Sequence, residues 1–204
     1  MKINFDFADT IKGFLEKDEA IRLYKITLKA ARLGPCLEIG SYCGKSAYFI
    51  GTACKERNSI LFSIDHHHGS LEQQPGQEYF DKELFDEKQG IIDTFRFFKN
   101  TLKKACLLDT VVPIVAESKI AAKKWSTLIS MLFIDGEHIF ETALNDYLMW
   151  SKHIMPGGFL VIHDIFMDPG QGGQAPRKIY EKALESGKYK KLEITNTLGV
   201  LKRF

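Results

Sequence analysis

Short apolar runs that break off at an acidic residue dominate this chain. Pro35–Gly40 contains Glu38, Ser59–Ile64 ends at Asp65, and Val111–Val115 is followed by Glu117. Ile129–Ile134 ends at Asp135, and Phe159–Ile162 ends at His163-Asp164. Between these runs the apolar spacing lengthens to the helical period: Ile21, Tyr24, Leu28 and Ala31 in 19–32; then 45–55; then Phe95, Phe98, Leu102 and Ala105. Further helices are expected over 118–125, around Phe140, Leu144, Tyr147 and Leu148, and over 176–186. Strands alternating with helices predict an α/β fold, a doubly wound and mainly parallel seven-stranded sheet with helices on both faces. Residues 188–195 and 198–204 add a C-terminal antiparallel hairpin around Asn196-Thr197. In such sheets a ligand binds at the carboxyl ends of the strands, where the acids recur. Helix N-capping explains one or two of those acids, but five on one rim less easily.

The 204 residues suit one domain spanning 1–204, with the polar stretch opening 66–110 read as an inserted loop and helix segment. A charge of +2 leaves no electrostatic footprint for nucleic acid. No apolar run reaches the roughly 20 residues of a membrane span. The opening MKINFDFADT carries acids where a signal peptide is apolar, so a cytoplasmic location is expected. Cys36, Cys43, Cys54 and Cys106 form no CxxC pair and read as free thiols.

Leu37–Ser46 reads as strand, glycine turn and helix start. A Walker A loop needs four residues between its glycine and Gly-Lys-Ser, but only Ser41, Tyr42 and Cys43 separate Gly40 from Gly44. The dinucleotide fingerprint Gly-x-Gly-x-x-Gly is also missing, and an acid before the turn repels a pyrophosphate. A cationic ligand carrying a ribose suits Glu38, with Gly40 and Gly44 allowing close backbone approach. A plain tight connection explains the turn alone equally well. Asp65 lies 21 residues after Gly44, where a carboxylate accepts from ribose hydroxyls, and Glu117 lies within reach of an adenine.

These placements resemble class I S-adenosylmethionine-dependent methyltransferases, whose Glu-x-Gly-x-x-x-Gly turn holds the methionine end of the cofactor. The resemblance implies a Rossmann-like fold, S-adenosylmethionine as cofactor, and binding residues Glu38, Gly40, Ser41, Gly44, Ser46, Asp65, Glu117 and Asp135. Phe133-Ile-Asp-Gly-Glu-His138, Asp146, and Met155-Pro-Gly-Gly-Phe-Leu-Val-Ile-His-Asp164 look like the branch that includes sugar and macrolide O-methyltransferases, of the methyltransferase domain 24 type. The likeness covers about 34–165. His66-His67-His68 departs from the general pattern, and 66–110 is long and particular to a subgroup.

A hydroxyl is a poor nucleophile at neutral pH, and a divalent metal held by oxygens lowers its pKa. Asp135 and Asp164 offer two hard ligands for Mg²⁺, and His163 a nitrogen better suited to Mn²⁺ or Fe²⁺. The structural alternative has Asp135 capping a helix and His163 buried and hydrogen-bonded. His138, three residues past Asp135, is the candidate general base, and Asp135 joins it as a catalytic residue. Asp146 reads as structural. The three histidines offer a second metal site, but neighbours on an extended chain point opposite ways and rarely share one ion, so they read as a loop that borders the cleft and gates or contacts substrate. Gly170–Gln174 reads as a second lid or a flexible connection.

The expected partner is a small-molecule acceptor bearing a hydroxyl, with no nucleic acid and no membrane; a homo-oligomer is left open. Two rival functions stand beside it. A nucleic-acid methyltransferase wants an Asn/Asp-Pro-Pro-aromatic segment after strand four, where this chain has Asp-Gly-Glu-His. A non-catalytic S-adenosylmethionine- or nucleotide-binding protein would keep the fold without the transfer.

Overall fold

The computed structural model describes residues 3–137 and 139–204. Its elements run α1 (Phe5–Asp9), α2 (Lys17–Ala30), β1 (Cys36–Ile39), α3 (Lys45–Glu56), β2 (Leu61–Asp65), β3 (Phe85–Asp86), β4 (Ile91–Ile92) and α4 (Phe95–Lys104). They continue with β5 (Val111–Val115), α5 (Ser118–Ala121), β6 (Ile129–Ile134), α6 (Phe140–Trp150), β7 (Ile154–Ile162), α7 (Ala175–Glu185), β8 (Tyr189–Lys191) and β9 (Gly199–Arg203).

Seven strands form one sheet in the order β5-β2-β1-β6-β7-β9-β8. All pairings are parallel except β7 with β9 and β9 with β8. The central strands β1 and β6 are buried at every position because helices cover both faces. Alternate residues of β6 therefore enter opposite layers. Met131 and Phe133 join Leu23, Phe49 and Phe98 from α2, α3 and α4. Leu132 and Ile134 join Tyr147, Trp150 and Ile179 from α6 and α7. Pro113 is tolerated because β5 is an edge strand, paired only with β2.

Three boundaries differ from the sequence reading. β7 begins at Ile154 rather than Phe159; Ile129 pairs with Ile154, and a register shift absorbs the Pro-Gly-Gly segment. α5 stops at Ala121, and α1 has too short an apolar pattern to be legible. Within the expected insertion, β3 and β4 pair antiparallel, and Leu84 and Ile92 pack on Cys43. Cys36, Cys43, Cys54 and Cys106 are free thiols, the first three buried. No helix of the described residues is long and apolar enough to cross a membrane.

The order of the strands fixes the site. From β1 the chain crosses to β2 on one side, and β6 lies on the other, so connections diverge above the β1–β6 boundary. That divergence opens a crevice at the strands' carboxyl ends.

Candidate active site

A cleft of about 1130 Å³ occupies this crevice and is lined by Gly40, Asp65, Glu117, Asp135, His163 and Asp164, among others. Single-ligand pockets run to about 1000 Å³, so there is space here for more than one small molecule.

The turn after β1 is held from both ends. Ser41 and Tyr42 donate their N–H groups to Asp65 Oδ2 at 2.9 and 2.8 Å, and His67 N–H donates to Asp65 Oδ1 at 2.6 Å. A carboxylate offers about four acceptor positions, and these three bonds fill all but one of them while pinning the turn. Gly40 adopts φ +86°, and a Cβ there would run into the carbonyl of Asp135. Gly44, at φ +92°, faces Phe98 and Thr101 rather than the cleft, so its role is the turn and the packing of α4. Ser41 Oγ is buried and without a partner among the described residues.

Glu38 lies below the turn, away from the cleft wall. It is fully buried, and Ser46 and Ser63 donate their hydroxyls to its two oxygens at 3.0 and 2.6 Å. The carboxyl expected to meet a cationic ligand is thus a buried strut under the turn. Ser46 reaches both Glu38 and the cleft. Burial pushes Glu38 up to about 8, against the opposing bonds from Ser63 and Ser46. A carboxyl raised in the folded state adds stability that is complete below its unfolded value near 4.3 and is lost as pH rises through 8. Glu38→Gln, which cannot ionise, should therefore gain on the parent by up to about 1.4 kcal/mol per pH unit between pH 5 and 8. Urea melts across that range read the difference; parallel curves would show that Glu38 is charged throughout.

Asp135 and Asp164 meet at the ends of β6 and β7, with His163 between them and α2. His163 Nδ1 lies 3.0 Å from Asp135 Oδ1 and 3.5 Å from Asp164 Oδ1, and its Nε2 lies 2.9 Å from Glu19 Oε2. Burial opposes a charged ring, but Asp135 and Glu19 outweigh it and hold His163 above the usual histidine range. Glu19 is 1% exposed. Burial works against its charge, yet His163 and Thr197 hold its carboxyl well below the usual range. Asp164 takes φ +57°, a conformation that Asp and Asn tolerate better than other side chains. Asp135, His163 and Asp164 place one donor atom each within 4.8 Å of one another. His138, the expected general base, lies outside the described residues.

Glu117 is exposed on the cleft and paired with Lys119 at 2.7 Å. Asp146 is buried on the cleft wall and pushed up to about 6 by burial, partly offset by Ser118. The histidine run is not the extended segment expected: it lies beyond the end of β2, and His67 takes φ +62°. His67 is buried, its Nδ1 2.8 Å from Thr94 Oγ1, between the rings of Phe95 and Phe98. His66 and His68 stack with centroids 5.8 Å apart and face the cleft. Gln171, Gly172 and Gly173 also line it.

Two site features escape a reading of the sequence. Glu19 sits in the acidic first turn of α2, where acids are ordinary partners of the helix dipole. The segment before α2 reaches over the cleft: Lys12 pairs with Asp81 at 2.5 Å and Glu83 at 2.8 Å, and Phe14 packs edge-on against Tyr79. Nothing local signals contacts between residues so far apart in the chain.

Residues 37–165 match a family model described as a methyltransferase domain. Among solved structures, the O-methyltransferase NovP superposes with a TM-score of 0.68 at 13% identity, covering 91% of this chain and 79% of that one. The O-methyltransferase from Bacillus cereus in complex with SAH gives 0.64 at 12% identity, covering 98% and 87%. CalS11, a TDP-rhamnose 3'-O-methyltransferase of calicheamicin biosynthesis, gives 0.62 at 11%, covering 92% and 81%. At these identities the superpositions establish a shared fold.

Proposed function

The chain belongs to the class I S-adenosylmethionine-dependent methyltransferases, the family whose domain it matches over 37–165, and on that premise we propose that it methylates a hydroxyl of a small molecule, a sugar or natural product. The observation that carries this reading is one cleft holding both the Asp65-pinned glycine turn and the Asp135–His163–Asp164 cluster. The solved structures of like fold named for sugar or other O-methylation support the same reaction class.

In the proposed reaction the acceptor oxygen attacks the sulfonium methyl carbon in line. The O–C bond forms as the S–CH₃ bond breaks, and the sulfur leaves as a neutral thioether. The protein's work is to align the two molecules and take the hydroxyl proton. The turn Gly40–Ser46 and Asp65 seat the methionine and ribose, and Glu117 borders the adenine. Asp135 and Asp164 orient the acceptor hydroxyl, and His138, from its place in the sequence, takes its proton.

The cluster fits a divalent cation. An octahedral ion with bonds of about 2.1 Å spaces neighbouring ligand atoms roughly 3 Å apart. The spacings of 3.0 and 3.5 Å about His163 Nδ1 lie near that edge, and all three donor atoms fall within 4.8 Å of one another. Asp135, Asp164 and His163 would hold it, and a cation there supplies Lewis acidity that lowers the hydroxyl's pKa.

Transfer of labelled methyl from S-adenosylmethionine to a panel of sugar nucleotides, phenols and RNA tests the reaction. Label on a small-molecule hydroxyl is the expected result. Label on RNA would favour a nucleic-acid methyltransferase, and cofactor binding with no acceptor in cell extract a binding protein. Asp65→Asn tests the cofactor end. Its amide sets an N–H donor against either the two turn N–H groups or that of His67. S-adenosylhomocysteine binding should weaken by about 1.5–3 kcal/mol, read by calorimetry. Unchanged affinity in a folded variant would remove Asp65 from the site.

A further inference from the structure

We infer that Glu19 is a positioning residue that makes His163 Nδ1 a metal ligand, so that the cleft selects a first-row transition ion over Mg²⁺. The inference rests on the cation reading of the Asp135–His163–Asp164 cluster and concerns the residue behind it.

Four donors converge on the two oxygens of Glu19. Thr197 N–H and Oγ–H donate to Oε1 at 2.8 and 2.7 Å. Glu16 N–H lies 3.1 Å from Oε2, and His163 Nε2 lies 2.9 Å from the same oxygen. Every acceptor position of Glu19 is therefore committed, and its orientation is fixed by α2 on one side and the turn before β9 on the other. An acceptor opposite Nε2 keeps the ring proton on that nitrogen. A cation at the cluster therefore displaces the proton of Nδ1, the nitrogen that faces Asp135 and Asp164, while Nε2 keeps its own. A carboxylate behind a histidine, with the far nitrogen aimed into a donor cluster, is the arrangement that orients metal-bound imidazoles.

One nitrogen with two carboxylates is also a different donor set from the all-oxygen sets that suit Mg²⁺. Imidazole raises affinity for Mn²⁺, Fe²⁺ and Co²⁺ in rising order, and leaves Mg²⁺, which prefers oxygen and its own water, behind. The residue at position 163 is thus where this chain's ion preference is set, and Glu19 is what enforces it.

Glu19→Gln is a near-isosteric test of the tautomer. Thr197 sets two donors on its side against the one Glu16 N–H on the other, so the single carbonyl oxygen of glutamine stays with Thr197 and its amide faces Nε2. A donor there forces Nε2 to accept, moves the ring proton to Nδ1 and removes the ligand. The intact chain is stripped with chelator and titrated with Mg²⁺, Mn²⁺ and Co²⁺. Electron paramagnetic resonance reads free Mn²⁺, visible absorption reads Co²⁺, and S-adenosylhomocysteine calorimetry checks that each protein is folded and binds cofactor. Mn²⁺ and Co²⁺ should bind the parent at least about tenfold more tightly than Mg²⁺. Glu19→Gln should weaken both by roughly 10–100-fold. The parent's ion order needs no variant, so the inference stays testable even where Glu19→Gln does not fold. Equal binding of Mg²⁺ and Mn²⁺ by the parent, or parental Mn²⁺ affinity in folded Glu19→Gln, would overturn the inference and leave the cation reading standing. Failure of all three ions to bind a folded, cofactor-binding parent would overturn both.

Discussion

Gly40→Ala should cost the protein about 3 kcal/mol or more of stability and abolish measurable S-adenosylhomocysteine binding. Two effects add. The turn needs φ +86° at this position, and a side chain in left-handed backbone costs roughly 1–2 kcal/mol. The added Cβ would also enter the carbonyl of Asp135 and crowd Gly136, both backbone, so no side chain can rotate away. Forcing an extra methyl into packed structure costs about 1–3 kcal/mol. The relief available is a parting of the loops after β1 and β6, the two loops that border the crevice. On a total stability of roughly 5–15 kcal/mol the loss is large but survivable, so a folded variant can be assayed. From the sequence, Gly40 serves close approach of a ligand to the backbone, so a side chain here is expected to fill ligand space as well as to strain the turn. The fold gives another cause: the obstruction is the neighbouring loop, and the ligand is lost because the crevice changes shape. Urea melts and calorimetry measure the two losses. Normal stability with lost binding would restore the ligand-space explanation.

Asp164→Asn should cut turnover by roughly 10²-fold, the scale of a misplaced acceptor, while cofactor affinity stays close to parental. Asparagine is chosen because position 164 has φ +57°, which Asn adopts readily and Ala does not. The variant therefore removes the charge and leaves the backbone in place. Asp164 lies at the end of β7, whereas the turn and Asp65 follow β1 and β2, so the change should separate the chemistry from cofactor binding. Chelator should lower turnover of the parent and have little further effect on the variant. Full activity in Asp164→Asn would move the acceptor away from this cluster. A parallel fall in turnover and cofactor affinity would show that Asp164 holds the turn rather than the acceptor.

The architecture of this chain was legible because its signals are local. An apolar run buried on both faces, a helical period, and a glycine where the backbone turns left-handed are each written in a few consecutive residues. The strands ending at Asp65, Asp135 and Asp164 could therefore be placed on one rim, with the glycine turn beside them. The position of β1 in the chain also sets where its crevice opens, once a doubly wound sheet is accepted. What the tertiary structure alone decided is the job of each acid on that rim. Glu38, which reads as a ligand contact, is enclosed by Ser46 and Ser63, because residues of β1 alternate between layers and its side chain falls in the layer that α3 covers. Asp65 is at once strut and wall. Glu19 reads as an ordinary helix-start acid, yet it lies beneath His163, 144 residues away. The spacing of residues along a chain carries the periods of helices and strands, but it carries nothing about which distant side chains meet when α2 and the turn before β9 close on the end of β7.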